Sequence, residues 1–140
     1  MKKLISLLFL GFIVLSCSKP ITTEELKNLN GYWEISEVKT EEGNKKEFQS
    51  NNNVDFFQLQ NKVGTRTKVV PQFNGKAQSN GIVEKFTVID SANATYLKYQ
   101  TDFAKWTEKI EEVTNEKLVI INNNKIKYTY KRFTPVTINE

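Results

Sequence analysis

The 140-residue chain has no histidine, a single cysteine and only three prolines. Each scarcity removes something. Without histidine there is no Ser-His-Asp or Cys-His relay and no ordinary zinc site, so most hydrolytic chemistry drops out and neither a metal nor a cofactor is expected. A lone cysteine has no partner for a disulfide within the chain, which leaves the hydrophobic core to hold the fold. Long apolar runs are missing except at the start, and that run is shorter than the roughly 20 residues a membrane helix needs. Charge is nearly balanced, with 20 Lys and Arg against 16 Asp and Glu, and calls for no nucleic acid.

The apolar run, Leu4 to Leu15, follows Met1-Lys2-Lys3 and is broken by Ser16-Cys17-Ser18-Lys19-Pro20. A basic start, an apolar middle and a polar stop are the layout of a cleaved secretory signal. Val14-Leu15-Ser16-Cys17 resembles a lipobox, in which a cysteine is acylated before cleavage. The resemblance implies that residues 1–16 are removed and that Cys17 becomes the lipid-bearing first residue. An ordinary signal peptide with an incidental cysteine is the plainer alternative. One acyl chain binds a membrane only marginally, at about 0.8 kcal/mol per methylene, but lipoproteins of this type carry two or three. The expected location is the cell envelope, anchored in the outer membrane and facing the periplasm. Loss of Lys2 and Lys3 lowers the formal charge from +4 to +2. The remaining length suits one domain, read as a tether at 17–21, a folded unit at 22–134 and a tail at 135–140.

Thr22 with Glu25 three residues on fits a capping box, Leu26 and Leu29 share a helical face, and Asn30-Gly31 is a natural stop, so a two-turn helix is predicted here. From Tyr32 the period changes to two, with turn residues about every ten positions. Strands are expected near 31–39, 54–60, 65–70, 82–90, 94–101, 103–112, 117–122 and 125–133, with a doubtful one at 45–49. Gly43, Asn51-Asn52-Asn53, Gly64, Asn74-Gly75, Asn80-Gly81, Ser91-Ala92-Asn93, Asn115 and Asn122-Asn123-Asn124 mark the turns. Parity places Trp33, Ile35, Phe57, Leu59, Phe86, Val88, Leu97, Tyr99, Trp106, Ile110, Leu118, Ile120, Tyr128 and Tyr130 on the core side. Consecutive hairpins with one apolar face each must stack as two sheets or close on themselves, and a meander closing into an up-and-down antiparallel β-barrel of about eight strands is the simpler topology.

At this point Leu29-Asn30-Gly31-Tyr32-Trp33-Glu34-Ile35 resembles the lipocalin Gly-x-Trp opening, and Tyr128-Thr129-Tyr130-Lys131-Arg132-Phe133 resembles the closing strand of that family. Over roughly residues 22–133 the chain is similar to small lipocalin-like lipoproteins of Bacteroidetes. The resemblance implies that Trp33 floors the barrel and that Arg132 lies across its ring as a structural closure, a cation–π contact worth about 0.5–2 kcal/mol. It also implies a ligand-binding module carrying a small hydrophobic molecule; the missing histidine argues separately against an enzyme. The chain is shorter than full lipocalins and lacks their middle motifs and disulfide, which bears on cavity size.

Candidate ligand-lining residues are Phe57, Phe86, Tyr99, Trp106, Tyr128 and Tyr130; packed core is the competing reading, since side chains this large fill a small barrel. Glu84 and Glu108 fall on apolar faces, where an acid–base pair is imaginable; strand ends or bulges meeting water or a lysine are the preferred explanation. Arg66 and Lys68 share a strand face and read as solvated outer charge, with an anionic headgroup or acidic partner as the functional alternative. Asp90-Ser91-Ala92 resembles the three-residue O-glycosylation signal of exported Bacteroidetes proteins, which would place a glycan on Ser91. The partners expected are the membrane, through Cys17, and a small apolar ligand, with a monomer as the default. The alternative function is a filled barrel that binds a protein through its loops, as a scaffold or a hydrolase inhibitor.

Overall fold

The structure, a computed structural model, describes residues 19–49, 54–72, 74 and 76–135. Residues 1–16, expected to be a signal peptide, and Cys17 lie outside these residues, as does most of the C-terminal tail.

Helix α1 runs Thr23–Lys27. The Glu25 N–H donates to Thr22 Oγ1 at 3.2 Å and the Thr22 N–H donates to Glu25 Oε2 at 2.8 Å, so two otherwise unpaired donors are satisfied reciprocally. Leu26 on its inner side and Leu29, just beyond its end, are buried. Asn28 caps the C-terminus, and Gly31, at φ +118°, turns the chain into the first strand in a conformation that L side chains rarely adopt.

Nine strands follow: β1 Gly31–Lys39, β2 Lys45–Glu47, β3 Val54–Gln60, β4 Val63–Pro71, β5 Ala77–Ser91, β6 Ala94–Gln100, β7 Lys105–Val113, β8 Lys117–Ile121 and β9 Lys127–Phe133. Strand β1 pairs with β3, each of β3 to β8 pairs with the next, and β9 pairs antiparallel with β1 from Tyr32↔Phe133 to Lys39↔Lys127. The meander therefore closes into an antiparallel eight-stranded barrel. The short β2 is extra: it continues the β3 edge along the far half of β1. Closure removes the free edges that an open sheet would expose.

Register irregularities occur at Ile35/Glu37, Thr67/Val69 and Ile110/Glu112. Extra residues of this kind bend and twist a strand, which closure requires. Gly64 is a close-approach glycine: a Cβ there would sit 2.4 Å from the Phe86 ring and 2.6 Å from the Gln58 carbonyl, so its absence admits the Phe86 ring. Ala92 and Asn93, both at positive φ, form the two-residue turn between β5 and β6, the primed geometry that matches strand twist.

Asn80-Gly81 does not separate strands. It lies inside β5, where Gly81 takes φ +79° and Asn80 Oδ1 accepts from the Ile82 N–H, close to the register shift opposite Thr67/Val69. A turn-like dipeptide here makes a local kink, because β4 continues as its partner to Pro71 and supplies ladder hydrogen bonds on both sides.

Trp33, Phe57, Phe86, Val88, Leu97, Tyr99, Ile110, Leu118, Ile120 and Tyr130 form one buried cluster with Leu26 and Leu29, and Ile35, Leu59, Trp106 and Tyr128 pack against it. Helix α1 thus covers one end of the barrel.

Candidate functional site: the barrel interior

At the helix end, Trp33 has no exposed surface and its Nε1–H donates to the Leu29 carbonyl at 2.8 Å. The Arg132 guanidinium lies 3.8 Å from the centre of the Trp33 ring. Arg132 donates to the carbonyls of Asn28 at 2.6 Å, Asn30 at 2.7 Å and Asn115 at 2.8 Å. One side chain from β9 therefore binds the end of α1, the start of β1 and the β7–β8 turn. The short approach explains Gly31, whose added Cβ would meet Arg132 Nη1 at 2.7 Å.

Above this floor the interior becomes ionic. Arg66 projects inward from β4, between the rings of Phe57 at 6.0 Å and Tyr99 at 4.5 Å. Its Nη2 donates to Glu84 on β5 at 3.1 Å and its Nη1 to Glu108 on β7 at 3.1 Å. The expectation of Arg66 as outer-face charge is overturned. Pairing of Arg66 with Phe57 and Glu84, both inward residues, fixes its direction, and the carboxylates inside the barrel compensate its loss of water. Glu84 and Glu108, expected to meet water or a lysine, meet this arginine instead. They are bridged by a cation, so the arrangement is a clamp and not an acid–base pair.

A second pair adjoins it. Asp55, 3% exposed, accepts from Lys68 Nζ at 2.9 Å and from the Tyr130 hydroxyl at 3.2 Å. Lys68 itself is half-exposed at the barrel mouth. One rung beyond Glu84, Ile82 is 62% exposed, which places the whole cluster just inside the end opposite α1.

The environment acts on each group in a definite direction. Burial is the largest influence on Arg66 and opposes its charge, yet the neighbouring anions outweigh it and the pKa lies above the ordinary guanidinium value. Burial drives Tyr99 well above the usual phenol range, although Arg66 pulls the other way. Tyr130 is raised too, by burial first and then by the charge of Asp55. The Tyr99 hydroxyl is buried and has no hydrogen-bond partner among the described residues.

The six candidate lining residues divide by depth. Phe57, Phe86 and Tyr99 have 0%, 2% and 0% of their surface exposed. A void large enough for a ligand beside these rings would register as exposed area on them, so the barrel centre is packed. The rings make a chain of contacts, Phe57 to Phe86 at 6.2 Å, Phe86 to Tyr99 at 5.4 Å, and Tyr99 stacked on Trp106 at 4.9 Å. Trp106 and Tyr128 are half-buried at the open end, and Tyr130 lies below them.

Ser91 is exposed and ends β5, beside Asp90, whose carboxylate accepts from Thr95 Oγ1 at 2.7 Å and Lys62 Nζ at 3.2 Å. These bonds, that of Thr95 first, hold Asp90 below the usual carboxylate range. No helix among the described residues is long and apolar enough to cross a membrane.

No family model matches the sequence, and comparison with curated proteins gives no match. Among solved structures, the chain is similar to a lipocalin-like protein from Bacteroides uniformis, at 11% identity and a TM-score of 0.47, over 76% of this chain and 99% of that one. Barrel closure is given independently by the β1–β9 ladder.

The charged cluster was hard to find from sequence. Arg66, Glu84 and Glu108 are far apart along the chain, and the usable signal was an acidic residue at an inward parity position on each of β5 and β7.

Proposed function

We propose that the protein is a lipid-anchored barrel of the bacterial cell envelope, held in the outer membrane by acyl chains on Cys17, that binds a small ligand non-enzymatically at its open end. The observation that carries this reading is the buried Arg66, clamped by Glu84 and Glu108 beside the unpartnered hydroxyl of Tyr99. A barrel interior selected for stability alone does as well or better with apolar side chains of the same volume, and a buried phenol without a partner is unfavourable by about 1–3 kcal/mol. Polar groups so placed are what a ligand needs in order to be oriented.

The packed centre makes the ligand a shallow guest. Its apolar body lies against Trp106 and Tyr128, and its polar end turns toward Tyr99 and the clamp, with Trp106 shifting off Tyr99 to admit it. The small hydrophobic ligand expected from the sequence is thus one whose polar end is oriented by a tyrosine hydroxyl and the clamp.

Native mass spectrometry of the protein purified from its host membranes tests the reading. A small molecule that co-purifies, and is lost from Trp106→Ala and Tyr99→Phe variants that still fold, supports it. A clean apo mass overturns it. The packed centre favours, as the second reading, a barrel that binds a protein partner through its surface; crosslinking to one envelope protein, together with the clean apo mass, would support that.

A further inference from the structure

The outer surface of β5, β6 and β7 has a composition that the ligand reading does not use. Outward positions read Val83, Lys85, Thr87 and Ile89 on β5, Tyr96, Lys98 and Gln100 on β6, and Lys105, Thr107 and Lys109 on β7. The ladder sets them side by side, in the rows Lys85–Gln100–Lys105, Thr87–Lys98–Thr107 and Ile89–Tyr96–Lys109. No acidic residue stands among them. Lys85, Lys98, Lys105 and Lys109 form no ion pair among the described residues, whereas the acids at the margin are occupied: Asp90 by Lys62 and Glu111 by Lys127. Among the described residues, Asp102 in the β6–β7 turn is the one nearby acid without an ion pair.

The same face carries exposed apolar groups. Phe103, at the tip of the β6–β7 turn, is 98% exposed, Val63 and Val83 are 62% and 50% exposed, and Ile82, at the adjoining barrel mouth, is 62% exposed, around a shallow depression of about 960 Å³. Unpaired lysines interleaved with an exposed aromatic and aliphatic side chains suit a surface that is anionic outside and apolar beneath.

The chain's route supplies the occupant. The Ile21 N–H donates to Thr95 Oγ1 at 2.9 Å, so the N-terminal segment leaves the barrel at the β5–β6 end of this face. Cys17 is four residues earlier, a span of at most about 14 Å. Lys98 is three residues along β6 from Thr95, a rise of about 10 Å. A bilayer reached by lipid on Cys17 is thus within reach of the lysine face when the barrel lies on its side.

We propose that the outer face of β5–β7 docks on the anionic surface of the bilayer, with Lys85, Lys98, Lys105 and Lys109 over lipid headgroups and Phe103 at the interface. This rests on the lipid anchor at Cys17. Docking leaves the β2–β1–β9 side free.

The test uses the full acylated protein reconstituted in vesicles of phosphatidylcholine alone or mixed with phosphatidylglycerol. Lysine reactivity toward an amine-specific reagent is read by peptide mass spectrometry, with Lys39, on β1, as the reference. On the mixed vesicles the four lysines should react at least about fivefold more slowly, the factor that one surface lysine contributes. The protection should vanish at 0.5 M salt, roughly where screening falls to a few ångströms, and in the Lys85→Glu, Lys98→Glu variant. Equal reactivity on both vesicle types overturns the proposal, as does protection that appears only when other envelope proteins are added. An intact mass without acyl chains on Cys17 overturns the anchor itself and is read separately, before reconstitution.

Discussion

Two arginines lie over aromatic rings in this barrel, and they are held in opposite ways. Arg132 covers Trp33 and is bound by three main-chain carbonyls, all neutral. Arg66 faces Tyr99 and is bound by two carboxylates. The first cation is half-exposed at the barrel floor, and its partners cannot be titrated. The second is buried among groups that must each be charged for the others to be tolerated. A lock made of neutral acceptors survives changes of charge around it, whereas a buried ionic cluster is only as stable as its weakest member.

The contrast breaks most sharply at Arg66. Arg66→Ala leaves Glu84 and Glu108 buried without a counter-charge, and urea denaturation should show a loss of about 3–5 kcal/mol. Replacing all three together, with Arg66→Met, Glu84→Gln and Glu108→Gln, should recover most of that loss, because the clamp then holds no desolvated charge without a partner. A single-variant loss below about 1 kcal/mol would mean that water reaches the clamp, and the difference between the two arginines would collapse.

Arg132→Ala comes next, at about 2 kcal/mol, from the lost cation–π contact and from carbonyls left to water. Trp33 fluorescence should shift to the red in the variant as the floor opens. Because water can replace the guanidinium at this half-exposed site, the loss should be smaller than at Arg66.

The smallest effect separates the two ends by pH. Tyr99 and Tyr130 are raised above the ordinary value of 10.0 by burial at the ionic end. A folded pKa above the unfolded one means that their contribution is fully present below pH 10.0 and is lost as pH rises from there toward the folded values, since the unfolded chain releases its protons first. Tyr130→Phe should fall in stability less steeply above about pH 10 than the parent. Arg132→Ala should keep the parent slope, as no titrating phenol contacts that arginine.

Much of the barrel was legible because its signals are local. The Thr22 and Glu25 pair wrote the start of α1 directly, whereas the stop expected at Asn30-Gly31 lies beyond the Asn28 cap and instead turns the chain into β1. Alternation from Trp33 to Tyr130 placed the inward residues, since side chains on a strand have only two faces. Where a single residue of phase was inserted, local reading failed. Asn80-Gly81 has turn chemistry, but a neighbouring strand that keeps pairing converts it into a kink within β5. The direction of Arg66 was missed for a related reason. A charged residue on a strand is assigned to water unless its counter-ions are known, and Glu108 sits 42 residues away.

What the sequence determined by itself is the set of elements: one capped helix, a succession of strands with a single apolar face each, and no chemistry that needs histidine or paired cysteines. Periodicity and capping suffice for these because they depend on neighbours within a few residues. Only the tertiary structure decided the register in which β9 meets β1, that the barrel centre is packed, and that Arg66 is an interior residue. Those depend on which strands meet across the barrel, where the energy of a buried charge is set by partners that no local pattern specifies.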